Sequence, residues 1–466
     1  MKNVKSRVFK GFAAVLSLSL LSAFVLTGCD DQGASSGTAS GEGEKVVLKL
    51  AIADTGYGSD WIEYATSKFT EKHPNVTFNI TASPQIGELI STRASANNDD
   101  DMFDIFFGNS TEYITSGKAE PVTDVFQMTL DDTGGKKIDE VIVQGFNDPA
   151  AYYNGNNYQI PLSYSINGLF YDQDFFKEKG WNTQPKTYDE FIALCQTIKD
   201  SGIDPMVVSG LYNYGAFFYD TKEFELALEN NNTSYRENFQ NFRLPFYTTE
   251  ENKEVYQRLY DMGKKGYISK QSVGMTHTQS QMLVLQHKAA MCPSGDWIEN
   301  EMADAVPEGF KWGYMAVPFT NDTSIPNHIS GSLSYSLMMW ANKPAASKAY
   351  SKEFLASLFS LDVQEKLVAK GANSIRTDYA SDPARVEKMG NLQKSIAQYM
   401  EDNNTVLELK QHKITLTDPD YVAAVTLMAE KSQMVYTGQM DPNELLNEAE
   451  KLMEKSVKAY EASQAE

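Results

Sequence analysis

Hydroxyls, carboxylates and flat rings recur in this chain where apolar runs end. Ser163, Tyr164 and Ser165 follow Ile160-Pro161-Leu162, and Asp54 and Tyr57 follow the apolar run 46–52. Asn109 and Ser110 follow 102–107, while Asp296 and Trp297 come after 288–292 and the tight Pro293-Ser294-Gly295. Tyr212 and Tyr214 lie in a stretch, 211–219, where rings crowd around Asn213 and Gly215. Such a set can hydrogen-bond and stack: a ring offers flat apolar area, tyrosine adds a polar tip, and carboxylates and amides take up hydroxyls. Each feature also has a plain structural use. Gly108-Asn109-Ser110 is turn chemistry as well, a loop tryptophan can fold back on a core, and core packing explains most rings in 211–219.

Groups that break covalent bonds are harder to find. The chain has no G-x-S-x-G elbow, no P-loop and no H-E-x-x-H, and Gly56 and Gly58 lack the third glycine of a dinucleotide fingerprint. His73, His277, His287, His328 and His412 are scattered. Asp99-Asp100-Asp101 reads as a solvated turn, since consecutive residues splay and no EF-hand spacing follows. No cofactor or metal is therefore expected. A pair of carboxylates across a cleft could still run glycoside hydrolysis, and with 62 acidic residues the sequence leaves that open.

The elements that must position these side chains are legible from periodicity. Residues 46–52 form a nearly continuous apolar run, as in a strand covered on both faces. Trp61, Tyr64, Ala65 and Phe69 recur at helical spacing until His73-Pro74, and Val76, Phe78 and Ile80 alternate as a second strand. This is a βαβ unit, whose strand C-terminal ends are the usual ligand positions. In 157–181 a strand starts, meets Pro161, and resumes at Leu169-Phe170-Tyr171. An interrupted strand suggests a chain passing from one compact body to another, with residues 163–165 at the crossing; a proline-interrupted strand within one domain is the alternative. Thr187-Tyr188-Asp189-Glu190 is a capping box, and Asp441-Pro442 opens the last helix.

At 466 residues the chain suits two lobes better than one core. Its net charge of -21 excludes nucleic acid as partner of the folded body. Residues 1–28 carry Lys2, Lys5, Arg7 and Lys10 with no acid, then an apolar run to Leu26, which is the layout of an export signal. Leu26-Thr27-Gly28-Cys29 resembles the bacterial lipobox; this implies cleavage before Cys29, lipidation there, and tethering at the extracellular face of the cell membrane. Residues 30–44, rich in Gly, Ser and Asp, read as a flexible leash. Cys195 falls on the apolar side of a helix with Phe191, Leu194 and Ile198, as a buried free thiol would.

In order and spacing, Phe69-Thr70-Glu71-Lys72-His73-Pro74, Asp104-Ile105-Phe106-Phe107-Gly108, 160–171, 185–191, Lys288-Ala289-Ala290-Met291 with Gly295-Asp296-Trp297, and the closing helices resemble the extracellular solute-binding proteins of bacterial ABC importers, in the carbohydrate-type family that includes maltose-binding protein. The resemblance implies an α/β, type II periplasmic-binding-protein fold: two hinged lobes closing on a ligand in the cleft between them. It implies a signal peptide at 1–28, a lipidated linker at 29–45, one lobe from 46–164 plus 331–372 and another from 165–330 plus 373–461. It implies a monomer that captures a carbohydrate without chemistry and delivers it to an ABC permease, with Asp54, Tyr57, Asn109, Tyr164, Ser165, Trp297 and Arg376 at the family's ligand positions. Asp296 would bond sugar hydroxyls beside them, and Tyr212 and Tyr214 would stack. The first-lobe loops lack the charged pair and tryptophan of maltose-binding protein, so maltose is not implied. A surface-tethered glycan hydrolase, or a sensor or adhesin built on the same fold, are the alternatives.

Overall fold

Two long antiparallel strands organise the chain. A computed structural model describes residues 44–54, 57–96, 98–108, 110–143, 153–211 and 213–465. In chain order the strands are β1 Val46–Ala53, β2 Val76–Ser83, β3 Ile105–Phe107, β4 Ile160–Asp172, β5 Asp204–Met206, β6 Ala289–Gly295, β7 Trp312–Met315, β8 Asn327–Met339, β9 Asn373–Ser374 and β10 Thr405–Glu408. They pair in the order β2-β1-β3-β8-β4-β6-β5, with β10 on β8 and β7 and β9 on β4. β1 runs parallel to β2 and β3, and helix Asp60–Lys72 connects the first two, as the apolar run and helical spacing predict.

β4 and β8 each change partners along their length. The first half of β4 pairs with β8, and its second half pairs with β6 and β7. β8 pairs with β10 at its start, β4 in its middle and β3 at its end. The hydrophobic core divides in the same places. Ile160 and Leu162 pack with β1, β3 and Leu337–Trp340, whereas Ile166, Leu169 and Phe170 pack with the Cys195 helix, β6 and β7. Two cores of this size, bridged by two strands, are how a chain too long for one core buries its apolar area.

β4 is one strand, not two. Pro161 pairs with Ser336, and the register shifts between Pro161 and Ser163 and again between Ser163 and Tyr164. The irregularity absorbs the missing proline donor without ending the strand. β8 likewise reaches back through Ser330-Gly331-Ser332; a Cβ on Gly331 would lie 2.6 Å from Leu407 Cδ1, so a larger residue there would have to push the Leu407 side chain of the β10 arm aside. The strand at 102–107 is shorter than its pattern: Met102 and Phe103 are buried outside the ladder, while the Asp104 carboxylate accepts from Lys49 N at 2.8 Å.

Caps fall where the sequence places them. Thr187 accepts from Glu190 N at 3.2 Å to open helix Tyr188–Asp200, although Glu190 reaches back to Lys186 N rather than to the cap. Asp441 accepts from Asn443 N at 2.8 Å ahead of helix Pro442–Ala465. Cys195 and Cys292 are free and buried. No helix among the described residues is long and apolar enough to cross a membrane.

Candidate functional site at the strand crossing

Where β4 and β8 exchange cores, serines face each other. Ser163 Oγ lies 2.7 Å from Ser334 Oγ, and Ser165 Oγ lies 2.8 Å from Ser332 Oγ. The Ser165 hydroxyl is buried in this ladder and braces the crossing. Tyr57, just past β1, is buried beside them; burial, then the nearby Asp296 charge, pushes its phenol well up, against the opposing influence of the Ser334 and Ser163 hydroxyls. Tyr164, between the two serines, is half-buried and packs against both cores, and burial with Asp296 raises its phenol to about 12. Asp54, half-buried at the end of β1, follows Ala53, whose carbonyl accepts from Tyr335 of β8 at 3.0 Å. That bond brings the Asp54 loop to the same end of the sheet.

Asp296 follows β6 and is 4 % exposed. Its Oδ2 accepts from Ile166 N at 2.9 Å and from Asn373 Nδ2, while Oδ1 is buried without a hydrogen bond. The Ile166 and Trp297 amides and Asn373 favour the carboxylate, but burial outweighs them and pushes its pKa up to about 7. One Asp296 oxygen is thus occupied within the crossing, and the other is buried without a hydrogen bond.

Trp297 heads the short helix Ile298–Glu301 and folds over Gly295, where an added Cβ would meet the indole at 2.0 Å. Its ring is half-buried and is the first of a row. Phe217 meets it edge-on at 5.6 Å, Tyr214 meets Phe217 at 4.9 Å, and His277 stacks on Tyr214 at 4.4 Å. The row closes on itself, since His277 Nε2 lies 2.7 Å from Glu301 Oε2 and Glu301 N donates to Trp297 O at 2.9 Å. Gln281 adds a donor to Glu301 at 3.0 Å; burial works against that carboxylate, but these partners hold it below its usual range. Asn213, at φ 50°, makes the left-handed turn that presents Tyr214. Phe217 and His277 were missed from sequence: one is a ring among many and the other a lone histidine.

Arg376 is held inside the β1 body. Its guanidinium is buried and spends its donors on Asp378 (2.8 and 2.7 Å), Asp132 Oδ1 (2.9 Å) and the carbonyls of Phe359 and Asp132. It locks the β1 body from within. Ile375 also packs in that body, while Leu392 and Ile396 pack in the other. Cys29, Asn109 and Tyr212 lie outside the described residues. Among the described residues, no cluster of His, Cys, Asp and Glu is placed to hold a metal ion.

Two cores bridged by exchanging strands, with polar groups and rings gathered at the bridge, define the two-lobe, type II class of periplasmic solute-binding folds. The chain belongs to the bacterial extracellular solute-binding protein family, whose model matches residues 53–365. Its structure aligns with that of a chitin oligosaccharide binding protein at a TM-score of 0.65 and 18% identity, covering 89% of this chain and 99% of that one. In sequence it is 25% identical over 284 residues to the diacetylchitobiose binding protein NgcE of Streptomyces coelicolor (60% of this chain, 59% of that protein). It is 23% identical over 257 residues to the multiple sugar-binding protein of Streptococcus mutans (54% of this chain, 57% of that protein). The matched region thus spans under three fifths of either curated relative.

Proposed function

We propose that this chain captures a carbohydrate at the β4/β8 crossing, between the two lobes, and hands it unaltered to the membrane subunits of an ABC importer. The observation that carries this reading is the row Trp297, Phe217, Tyr214 and His277 beside a crossing lined with hydroxyls and buried phenols. Rings cover the apolar faces of a pyranose, and each hydroxyl leaving water needs a partner, so unpaired groups discriminate among sugars. Trp297, Tyr214, Tyr164 and Tyr57 form the proposed contact surface with Asp54, joined by Asn109 and Tyr212. The sugars named for the relatives support the ligand class, with N-acetylated oligosaccharides foremost. A ligand shifts the lobes only through contacts absent from the open form, and micromolar capture needs about -8 kcal/mol.

The same proposal has the chain act as a monomer, held at the outer face of the cell membrane by lipid on Cys29. Its support is the basic start, the apolar run and the Leu-Thr-Gly-Cys pattern. A Cys29→Ser chain should leave the membrane fraction; continued membrane retention counts against the anchor.

A thermal-shift screen with diacetylchitobiose, chitin oligosaccharides, raffinose and maltotriose tests the ligand class, because binding to the native state raises the melting temperature. Chromatography of the same mixtures after long incubation tests capture without chemistry: intact sugar is expected, and product would favour a tethered hydrolase.

A further inference from the structure

We propose that Tyr219 is a positioning residue for the aromatic row: its buried hydroxyl fixes the Asn213 side chain, and through it the left-handed turn that presents Tyr214 to His277. Its bearing on a ligand rests on the reading of the row as a binding surface; the positioning itself does not. Asn213 holds φ 50°, a conformation that most side chains avoid and asparagine tolerates. Its carbonyl accepts from Ala216 N at 3.0 Å, and its Oδ1 accepts from the Tyr219 hydroxyl at 3.2 Å. The turn is thus tied to both ends of helix Ala216–Tyr219, to the first residue through the backbone and to the last through a side chain. Tyr214 comes next in the chain and is aimed by that closure. Its carbonyl accepts from Phe217 N at 3.2 Å, and its ring meets Phe217 edge-on and His277 nearly face to face.

Tyr219 serves as an anchor because its own ring is held on several sides. It is buried, with the Tyr256 ring edge-on at 5.8 Å and the Tyr436 ring at 6.5 Å. Tyr256 is fixed in turn: its hydroxyl lies 3.2 Å from Ser432 Oγ, and Ser432 donates to Met428 O at 2.6 Å. The turn is pressed on the same wall, since a Cβ on Gly215 would lie 2.8 Å from Tyr436 Cε1 and 3.3 Å from Tyr219 Cε1. Where the loop begins, backbone bonds do the holding, from Gly210 N to Ser272 O at 3.0 Å and from Leu211 N to Met275 O at 3.4 Å. At Asn213 a side chain takes over. A ring whose place is settled in advance loses less freedom on binding, so this one hydroxyl bears on affinity without touching a ligand.

The chain has five histidines, so nuclear magnetic resonance of isotope-labelled histidine gives few ring signals, and His277→Ala identifies the one from His277. Stacked on Tyr214, that signal carries the ring-current shift of the phenol; Tyr214→Ala gives its position without it. Tyr219→Phe removes one oxygen and keeps the ring. It should move the His277 signal from its wild-type position toward that in Tyr214→Ala, with the melting temperature nearly kept. Asn213→Gly keeps the left-handed turn accessible but has no acceptor, so it should do the same, and it carries the test if Tyr219→Phe fails to fold. Asn213→Asp keeps an acceptor oxygen and should stay near wild type. With a saccharide from the screen, Tyr219→Phe should weaken binding by roughly 2- to 10-fold, and by nothing further in a Tyr214→Ala background. A His277 signal that both Tyr219→Phe and Asn213→Gly leave in place, or an equal loss of affinity with and without Tyr214, overturns the proposal. A moved signal in a protein that binds no saccharide would uphold the positioning and remove the ligand reading alone.

Discussion

The Tyr214 ring stacks on the His277 imidazole at 4.4 Å, nearly parallel, and the other edge of His277 meets Glu301. The histidine thus holds a ring of the proposed ligand surface and is itself 15 % exposed. His277→Ala should free Tyr214 and weaken saccharide binding by about 0.5–1.5 kcal/mol, or roughly 2- to 12-fold in Kd, with little change in melting temperature. Calorimetric titration checks this; unchanged affinity would detach His277 from the site.

Gly295 is the seat of Trp297. In Gly295→Ala the new methyl would occupy the space of the indole, 2.0 Å from its Cζ3, so the ring must swing away. We expect loss of ligand affinity with a stability cost of about 1–3 kcal/mol, typical of overpacking. Near-ultraviolet circular dichroism reads the moved indole, and a thermal melt reads the cost. A variant that binds normally would show that the seat is unimportant.

Arg376 should behave as a structural residue. Arg376→Ala strips bonds from Asp132, Asp378 and the Phe359 carbonyl. The expected cost is about 3 kcal/mol, at the low end for a broken buried pair, because both aspartates remain partly hydrated. Urea denaturation measures it. Loss of ligand affinity without loss of stability would return Arg376 to the binding surface.

Glu408 gives the protein an acid-sensitive brace on β10, which pairs with the start of β8. Burial alone would raise its pKa, but Arg236 (2.8 Å) and His328 (3.3 Å) overcome that and hold it at about 2. A depressed folded-state pKa means stability that is present above the unfolded pKa of about 4.3 and lost as pH falls toward 2. Wild type should exceed Glu408→Gln by about 3 kcal/mol at neutral pH, with the gap closing in acid. Melts of both proteins across that range check the sign; a gap that widens in acid contradicts it.

Much of this architecture could be read before any coordinates, because the patterns that carry it are local. The run 46–52, the helical spacing from Trp61 to Phe69 and the Thr187 cap each act within a few residues. Pro161 misled, since a proline says that one donor is missing and not whether a register shift will absorb the loss. The surroundings of Arg376 were hidden for another reason: Asp132, the partner that holds it inside one body, lies 244 residues away, and no spacing rule links them. Ser165 and Asp296 look like free polar groups in the sequence, and only the pairing of β4 with β8, β6 and β9 shows Ser165 Oγ and Asp296 Oδ2 already hydrogen-bonded. The aromatic row was half visible, because Tyr214 and Trp297 stand out after turns whereas Phe217 and His277 do not.

Calorimetric titration of the best saccharide from the screen into wild type and Trp297→Ala bears most directly on capture at the crossing. Wild type should bind at about micromolar Kd, and the variant, melting at nearly the same temperature, should bind at least about 30-fold more weakly, as when a central aromatic anchor is removed. Equal affinity in the two proteins, or no heat from any saccharide with wild type, would contradict it.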